Sequence, residues 1–326
     1  MEGVTAIIPN YNRRALLEKT LGDLARQTHP PAEIVVVDNA SGDGSAEAAE
    51  AAGAHVIRLE RNAGFSVAVN RGVRESRTAW VAVLNNDLEL DAHWLERLLS
   101  RATAAGAWFA AGKILRAGSR DILDATFDAL CRGGCSWRCG EGRSDTSAWS
   151  VEHSIRFAPL TATLLRRELF ERVGGLEERF ESYLEDIEFG LRCALAGCEG
   201  LYVPDAIAYH LGSATLGRWH PETVRLMARN QLLLVAKHYP AGWVLTYGWE
   251  VLVAQLLWGM LALRHGTGVA WLAGKRDGLR QFRGMRAGAA SPERLRGILD
   301  SSESEILELQ RRSGFDWYWR MYFALT

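Results

Sequence analysis

The chain has 326 residues, enough for one large α/β domain, or one domain with an appendage, around an ample core. Its 48% apolar and 24% charged content is that of an ordinary globular protein and excludes a disordered or collagen-like chain. A formal net charge of −1 gives no electrostatic footprint for nucleic acid, and five cysteines, an odd and sparse count, fit a reducing compartment rather than a disulfide framework.

The N-terminus, MEGVTAIIPNYNRR, has no basic lead and too short an apolar run for a signal peptide, so the cytoplasmic side is expected. Val4 to Ile8 is a β-branched strand closed by Pro9, and Arg14 to Gln27 carries helical spacing through Leu17, Leu21 and Leu24. Pro30-Pro31 ends that unit, and Glu33 to Val37 is a second buried strand running into the polar turn Asp38 to Ser45. An Ala/Glu-rich helix to about Ala52, a strand from His55 to Leu59 and a helix from Phe65 to Arg74 come next. Trp80 to Leu84 is then an unbroken apolar run, as expected of a strand buried on both faces. Strands alternating with helices imply a mostly parallel sheet with right-handed crossovers.

In such a sheet the loops at the carboxyl ends of the strands form the ligand crevice. Asn85-Asn86-Asp87 ends the run at Trp80 there, so Asp87 can hold a divalent metal, Mg²⁺ or Mn²⁺, or can merely cap the next element. Asp38, at the end of the second strand, can accept from a nucleobase N–H or a ribose hydroxyl, or can shape an Asx-turn. Neither G-x-G-x-x-G nor G-x-x-x-x-G-K-[ST] comes after the first strand, which argues against a dehydrogenase and an NTPase.

Four motifs now stand in order: Ile7-Ile8-Pro9-Asn10-Tyr11-Asn12, VVVDNASGDGS at 35–45, RNAGFSVAVNRG at 61–72 and LNNDLELD at 84–91. Together they resemble the family-2 glycosyltransferases of the GT-A fold, most of all the bacterial rhamnosyltransferase type, over roughly residues 4–215. The resemblance implies a GT-A nucleotide-diphospho-sugar transferase fold at 1–215, with Pro9, Asn10, Tyr11, Asp38, Asn62, Gly64, Asn70 and Asn86 around the nucleotide. It implies that Asp87 is the last residue of a metal-binding D-x-D whose first position is Asn85 here. His210, in Ala208-Tyr209-His210-Leu211-Gly212-Ser213, is similar to the family histidine that completes the metal shell, although a histidine near a strand end is also a common structural residue.

A second chemical centre lies at Phe180 to Gly197, FESYLEDIEFGLRCALAG. Ile187, Leu191, Ala194 and Leu195 form a helical stripe, so Glu185-Asp186 sits at a helix N-terminus, where the macrodipole favours the ionised form. Asp186 is the expected general base, with Glu185 next in line; acidic residues also occupy such positions without function. Cys131, Cys135 and Cys139 in CRGGCSWRC lack a C-x-x-C pair and read as loop or buried thiols.

Residues 216–326 differ in character. Trp243 to Leu263 is long enough to reach across a bilayer, but its internal Glu250 argues against a spanning helix. Arg264 to Arg296 holds eight Lys/Arg against two acids, and the chain closes on the aromatic run Trp317 to Phe323. Two alternatives are open: a surface lying peripherally on the anionic inner face of the membrane, or a helical appendage against the catalytic domain or a second subunit. The expected reaction is inverting transfer of a sugar, rhamnose among the candidates, from a nucleoside-diphosphate donor to a hydroxyl of a glycan or polyprenyl-diphosphate-linked saccharide in cell-surface polysaccharide assembly. The competing classes are a sugar nucleotidyltransferase and a non-catalytic sugar- or lipid-binding protein.

Overall fold

The computed structural model describes residues 2–211, 217, 219–286 and 291–326. The first half alternates β1 (Val4–Asn10), α1 (Arg14–Ala25), β2 (Glu33–Asp38), α2 (Ser45–Ala51), β3 (His55–Arg58), α3 (Phe65–Glu75), β4 (Trp80–Leu84), β5 (Leu88–Leu90) and α4 (Trp94–Ala105). Then come β6 (Phe109–Arg116), β7 (Ser119–Ala125), β8 (Asp128–Leu130), β9 (Ser136–Arg138), β10 (His153–Ile155), β11 (Ala162–Arg166), α5 (Arg167–Val173), α6 (Glu185–Leu195) and β12 (Gly200–His210). Five helices complete the chain: α7 (Pro221–His238), α8 (Trp243–Arg264), α9 (Gly268–Met285), α10 (Pro292–Ser313) and α11 (Trp317–Leu325).

The main sheet runs β10-β12-β6-β11-β4-β1-β2-β3, with β5 added to β12 and β7 to β6. The β3-β2-β1-β4 half is parallel, as the alternation of strands and helices requires. β11 is antiparallel to both β4 and β6, so the sheet is mixed beyond β4. Period-two alternation gives β1 and β2 two buried faces. Ala6, Ile8 and Val36 pack with Leu17, Leu21 and Leu24 of α1, whereas Val35 and Val37 pack with Ala68 of α3. Every residue of β4 is buried, which accounts for its unbroken apolar run. β1 continues through Pro9 to Asn10 instead of ending at Ile8; Pro9 pairs with Val37 in the parallel register.

The chain divides into two compact units, Met1–Phe127 with Gly140–Gly212, and Asp128–Cys139 with Ser213–Thr326. The linear boundary expected at 215/216 falls on residues that are not described, and the β8–β9 hairpin groups with the C-terminal helices. That hairpin is held by buried polar contacts. Leu130 N donates to Ser302 Oγ at 2.8 Å, and Arg132 pairs with Glu303 at 2.6 Å while Tyr322 Oη donates to the same carboxylate at 2.9 Å. Cys131, Cys135 and Cys139 are buried free thiols whose pKa values burial pushes up. Tyr318, Trp319 and Tyr322 are buried as well, so the terminal aromatic run packs inward and is not an exposed belt.

Where α3 crosses the sheet, Gly72 lies so close that a Cβ would meet Ile7 Cγ2 at 2.4 Å and Val37 Cγ2 at 3.4 Å. A helical Gly→Ala change ordinarily stabilises by about 1 kcal/mol. At Gly72 the overlap outweighs that gain, because an extra methyl in a close-packed core costs about 1–3 kcal/mol. Gly72→Ala is therefore expected to lower the urea midpoint with an unchanged m-value. A higher midpoint would show that Ile7 can rotate out of the way.

Candidate functional site

The site is built from loops at the carboxyl ends of β1, β2 and β4, from the turn before α3 and from the approach to α6. Buried Asp38 accepts from Asn10 Nδ2 at 3.2 Å and from Ser41 N at 2.9 Å. Asn86 Nδ2 donates to Asn10 Oδ1 at 2.7 Å, while Asn10 Nδ2 also reaches Ser41 Oγ at 3.2 Å. Ser41 Oγ in turn accepts from Asn12 N at 2.7 Å. The loops after β1, β2 and β4 are thus one hydrogen-bonded body. Ser41 is a linker that sequence pattern does not reveal, since a serine in a Gly-rich turn looks like any other turn residue. Tyr11 is 41% exposed on the same loop, an aromatic ring available to a planar ligand.

The second half of the site is tied to the first through Asn39, whose Oδ1 accepts from Ala63 N at 3.2 Å. Asn62 shapes the next turn by accepting from Gly64 N at 3.1 Å. Gly64 has φ +89°, and a Cβ there would stand 2.8 Å from Glu181 O, so only glycine lets this turn approach the α6 loop. Ser66 N donates to Glu181 O at 3.1 Å, closing the contact.

Asn70, expected around the nucleotide, makes structural contacts. Its amide is spent on the 175–178 loop: Nδ2 donates to Leu176 O at 2.9 Å and Glu178 Oε1 at 3.0 Å, and Oδ1 accepts from Leu176 N at 2.7 Å. It is a buried clamp on that loop.

Backbone strain marks the same region. Among the described residues, the non-glycine positions with left-handed φ are Asn12, Arg13, Ala40, Glu181, Tyr183 and Leu184. All lie in the loops after β1 and β2 or in the turn before α6. Such conformations cost about 1–3 kcal/mol each and persist where the surroundings over-determine them. The strained turn delivers Glu185 and Asp186 to the N-terminus of α6. Asp186 Oδ1 accepts from Ile187 N at 2.8 Å, while Glu185 is buried.

The other chemical group is an imidazole between two carboxylates. β5 is antiparallel to β12 with Leu88 opposite His210, which sets Asp87 beside the ring. His210 Nε2 is 3.1 Å from Asp87 Oδ1, and His210 Nδ1 donates to Asp124 Oδ2 at 2.8 Å. Asn85 Nδ2 lies 3.5 Å from the same Nε2. Burial pulls the imidazole pKa down, but the hydrogen bond to Asp124 and the adjacent Asp87 carboxylate outweigh it and raise the value to about 9.

These residues suit a divalent cation. Asp87 Oδ1 is buried and accepts no hydrogen bond despite its short distance to Nε2. Two ligand atoms on adjacent corners of an octahedron with bonds of about 2.1 Å stand about 3 Å apart, the spacing seen here. Asp124 on the far nitrogen fixes the ring and its tautomer, as a carboxylate behind a metal-bound histidine does. Among the described residues no group of three or more His, Cys, Asp or Glu forms a complete cage. Asp124 is not legible in the sequence; β7 brings it to the ring across 86 residues of chain.

The imidazolium also makes stability depend on pH. An unfolded histidine titrates near 6.5, so a folded value near 9 contributes stability that is complete below about 6.5 and lost as pH rises through about 9. The loss is on the order of 3 kcal/mol. In chelator, the stability gap between wild type and Asp124→Asn is expected to shrink steadily from pH 6.5 to 9. Denaturation curves whose separation is constant over that range would remove the coupling.

Comparison with known proteins places this geometry. The family model described as Glycosyl transferase family 2 matches residues 5–174. The chain is 26% identical over 289 residues, 80% of its length and 92% of the relative's, to an N-acetylglucosaminyl-diphospho-decaprenol L-rhamnosyltransferase of Mycobacterium tuberculosis. It is 33% identical over 101 residues, 29% of this chain and 40% of the relative, to a putative teichuronic acid biosynthesis glycosyltransferase, TuaG, of Bacillus subtilis. Two solved structures share the fold. GalNAc-T7 with UDP, GalNAc and Mn²⁺ has a TM-score of 0.65 at 14% identity, covering 97% of this chain, which spans 58% of that one. Mannosyltransferase PcManGT from Pyrobaculum calidifontis with GDP-Man and Mn²⁺ has a TM-score of 0.54 at 16% identity, with 99% and 86% of the two chains covered. The fold is therefore GT-A, a mixed, mostly parallel sheet flanked by helices with further helices at the C-terminus, and the protein is a glycosyltransferase that belongs to glycosyl transferase family 2.

Proposed function

We propose that the enzyme transfers a sugar, with inversion, from a nucleoside-diphosphate donor to a hydroxyl of a lipid-linked saccharide at the inner face of the membrane. The observation that carries this reading is the pair of potential metal ligands, Asp87 Oδ1 and His210 Nε2, 3.1 Å apart next to the hydrogen-bonded loops of β1, β2 and β4. The rhamnosyltransferase relative supports L-rhamnose as the sugar and a diphospho-polyprenol as the carrier of the acceptor, and the teichuronic acid biosynthesis relative supports a place in cell-surface polysaccharide synthesis. The two Mn²⁺-containing neighbours support the metal.

In this reading Tyr11 stacks on the nucleobase, and Asp38 accepts from the base or ribose with its remaining lone pairs. Asp87 and His210 would hold Mg²⁺ or Mn²⁺, which when bound supplies Lewis-acid stabilisation for the charge that gathers on the departing diphosphate. Asp186 takes the proton from the acceptor hydroxyl. The acceptor oxygen bonds to the anomeric carbon as the bond from that carbon to the diphosphate oxygen breaks, and the nucleoside diphosphate leaves with the electron pair. A single displacement needs one base and no covalent nucleophile. The N-terminus of α6 stabilises the ionised form of that base, and the strained turn Glu181–Leu184 fixes where it stands.

Asp186→Asn is expected to lower kcat by about 10²–10⁴ while the donor Kd stays near wild type. Wild-type kcat in that variant would move the base elsewhere, Glu185 first. Asp87→Ala and His210→Ala are each expected to abolish the enhancement of nucleoside-diphosphate binding by Mn²⁺ in calorimetry. An enhancement of wild-type size in both would remove the metal assignment. Asp38→Ala is expected to weaken donor and free nucleoside diphosphate alike, by about 1.5–3 kcal/mol for a lost charged hydrogen bond.

A further inference from the structure

The outer face of the α8–α9 hairpin carries a surface that glycosyl transfer does not use. On α8, Leu245, Trp249, Leu252, Leu256, Met260 and Leu263 are all 49–94% exposed. At 100° per residue they fall within an arc of about 80° and run about 27 Å along the helix. The opposite side of α8 is buried through Tyr247, Val251, Ala254 and Leu257. Single exposed apolar residues are ordinary, but an aligned row of six is not.

The same face continues on α9. Gly259 of α8 approaches the Trp271 ring, and Lys275 donates to Gln255, so the two helices run antiparallel side by side. On each helix the exposed row begins next to that contact, which in an antiparallel pair puts both rows on one side. The α9 row reads Val269, Leu272, Arg276, Leu279 and Arg283, with Arg280 beside it. Val269 is 84% and Leu279 65% exposed, and the side chains of Arg276 and Arg280 are 62% and 69% exposed. Asp277, the only acid on α9, pairs with Arg225 at 2.9 Å and also lies 3.4 Å from Arg276 and 4.0 Å from Arg280, whose side chains stay exposed. Glu250, the one acid of α8, stands off the stripe 3.7 Å from Arg132.

We infer that this face is a docking surface for an anionic phospholipid bilayer, lying in the plane of the headgroups. Arginines spaced one turn apart among leucines match that setting, since the stems lie along acyl chains while the guanidinium groups reach phosphates. Charge complementarity selects lipid over a second copy of the chain, because an identical face would bring arginine rows together, and the one acid beside each row, Asp277, is already ion-paired within its own chain. Crossing the bilayer is also disfavoured. Trp243–Arg264 is long enough to span, but 39% of its apolar window is buried inside the protein. The inference deepens the lipid-linked acceptor reading by naming the surface that would bring the enzyme to its substrate, yet its test needs neither donor nor acceptor.

The test is flotation of the full chain with vesicles of phosphatidylglycerol and phosphatidylcholine, against vesicles of phosphatidylcholine alone. Wild type is expected to float with the anionic vesicles and to be released by high salt. Each lipid-facing arginine is worth about fivefold in partitioning, so Arg276→Glu/Arg280→Glu/Arg283→Glu is expected to bind about a hundredfold more weakly. Leu252→Glu/Leu256→Glu is expected to bind at least tenfold more weakly. Both sets alter exposed side chains, and unchanged thermal melts and donor hydrolysis would show that folding and the transferase site are intact. Wild type that stays with the soluble fraction at low salt, or variants that float like wild type, would overturn the inference. So would a detergent-insensitive dimer, seen by light scattering, that ignores vesicles. Flotation without donor hydrolysis would count against the transferase reading and leave the docking surface standing.

Discussion

His210 sits between Asp87 and Asp124, buried together with the first while the second is half-buried, and much of the catalytic unit is arranged to keep it there. Two carboxylates and one imidazole out of water are tolerable only if the ring is protonated or if a cation takes the proton's place. The pull of Asp124 is on Nδ1 and the pull of Asp87 on Nε2, so the two halves of the ring do different work. One nitrogen anchors the ring, and the other faces an oxygen that has no hydrogen-bond donor of its own. A divalent cation would satisfy both atoms at once, and metal binding would then release a proton.

That arrangement depends on antiparallel additions to a parallel sheet. The parallel strands carry the nucleotide loops to one edge, as the fold requires. β5 and β7 lie outside the parallel pattern, yet they set the Asp87–His210–Asp124 row by their registers with β12 and β6. Strain is distributed the same way. The left-handed residues of the β1 and β2 loops are held by hydrogen bonds between those loops. The turn before α6 is bonded to the start of α3, whose own entry turn is bonded to the β2 loop. Loosening Asn70 or Gly64 would therefore be felt at Asp186 without touching it.

The C-terminal unit shows the opposite economy. Some of its polar groups point inward: Arg132 with Glu303, and Lys275 among Gln231 and Gln255, with burial lowering the lysine pKa to about 7. Its apolar groups point outward along α8. Burying polar contacts costs desolvation and gives a unique arrangement, whereas exposing a stripe of leucines costs solubility unless something covers it. The aromatic residues at the end of the chain go to the interior, where Tyr318 and Tyr322 donate hydrogen bonds to Ala254 O and Glu303.

The sequence alone determined the parallel half of the sheet, because apolar runs bounded by polar turns have few other uses. It also determined that Asp38, Asp87 and Asp186 stand at strand or helix ends, since turn chemistry and helical spacing are local properties. Tertiary structure decided which polar side chains remain available. Asn70 is consumed by a loop more than a hundred residues away, Ser41 joins two turns, and Asp124 reaches His210 through a strand that periodicity did not reveal. It decided as well which of two apolar stretches is exposed: α8 keeps its stripe on the surface, and α11 buries most of its rings. Local pattern fixes an element and its faces, but only packing fixes which face finds a partner, and function is carried by the groups left over.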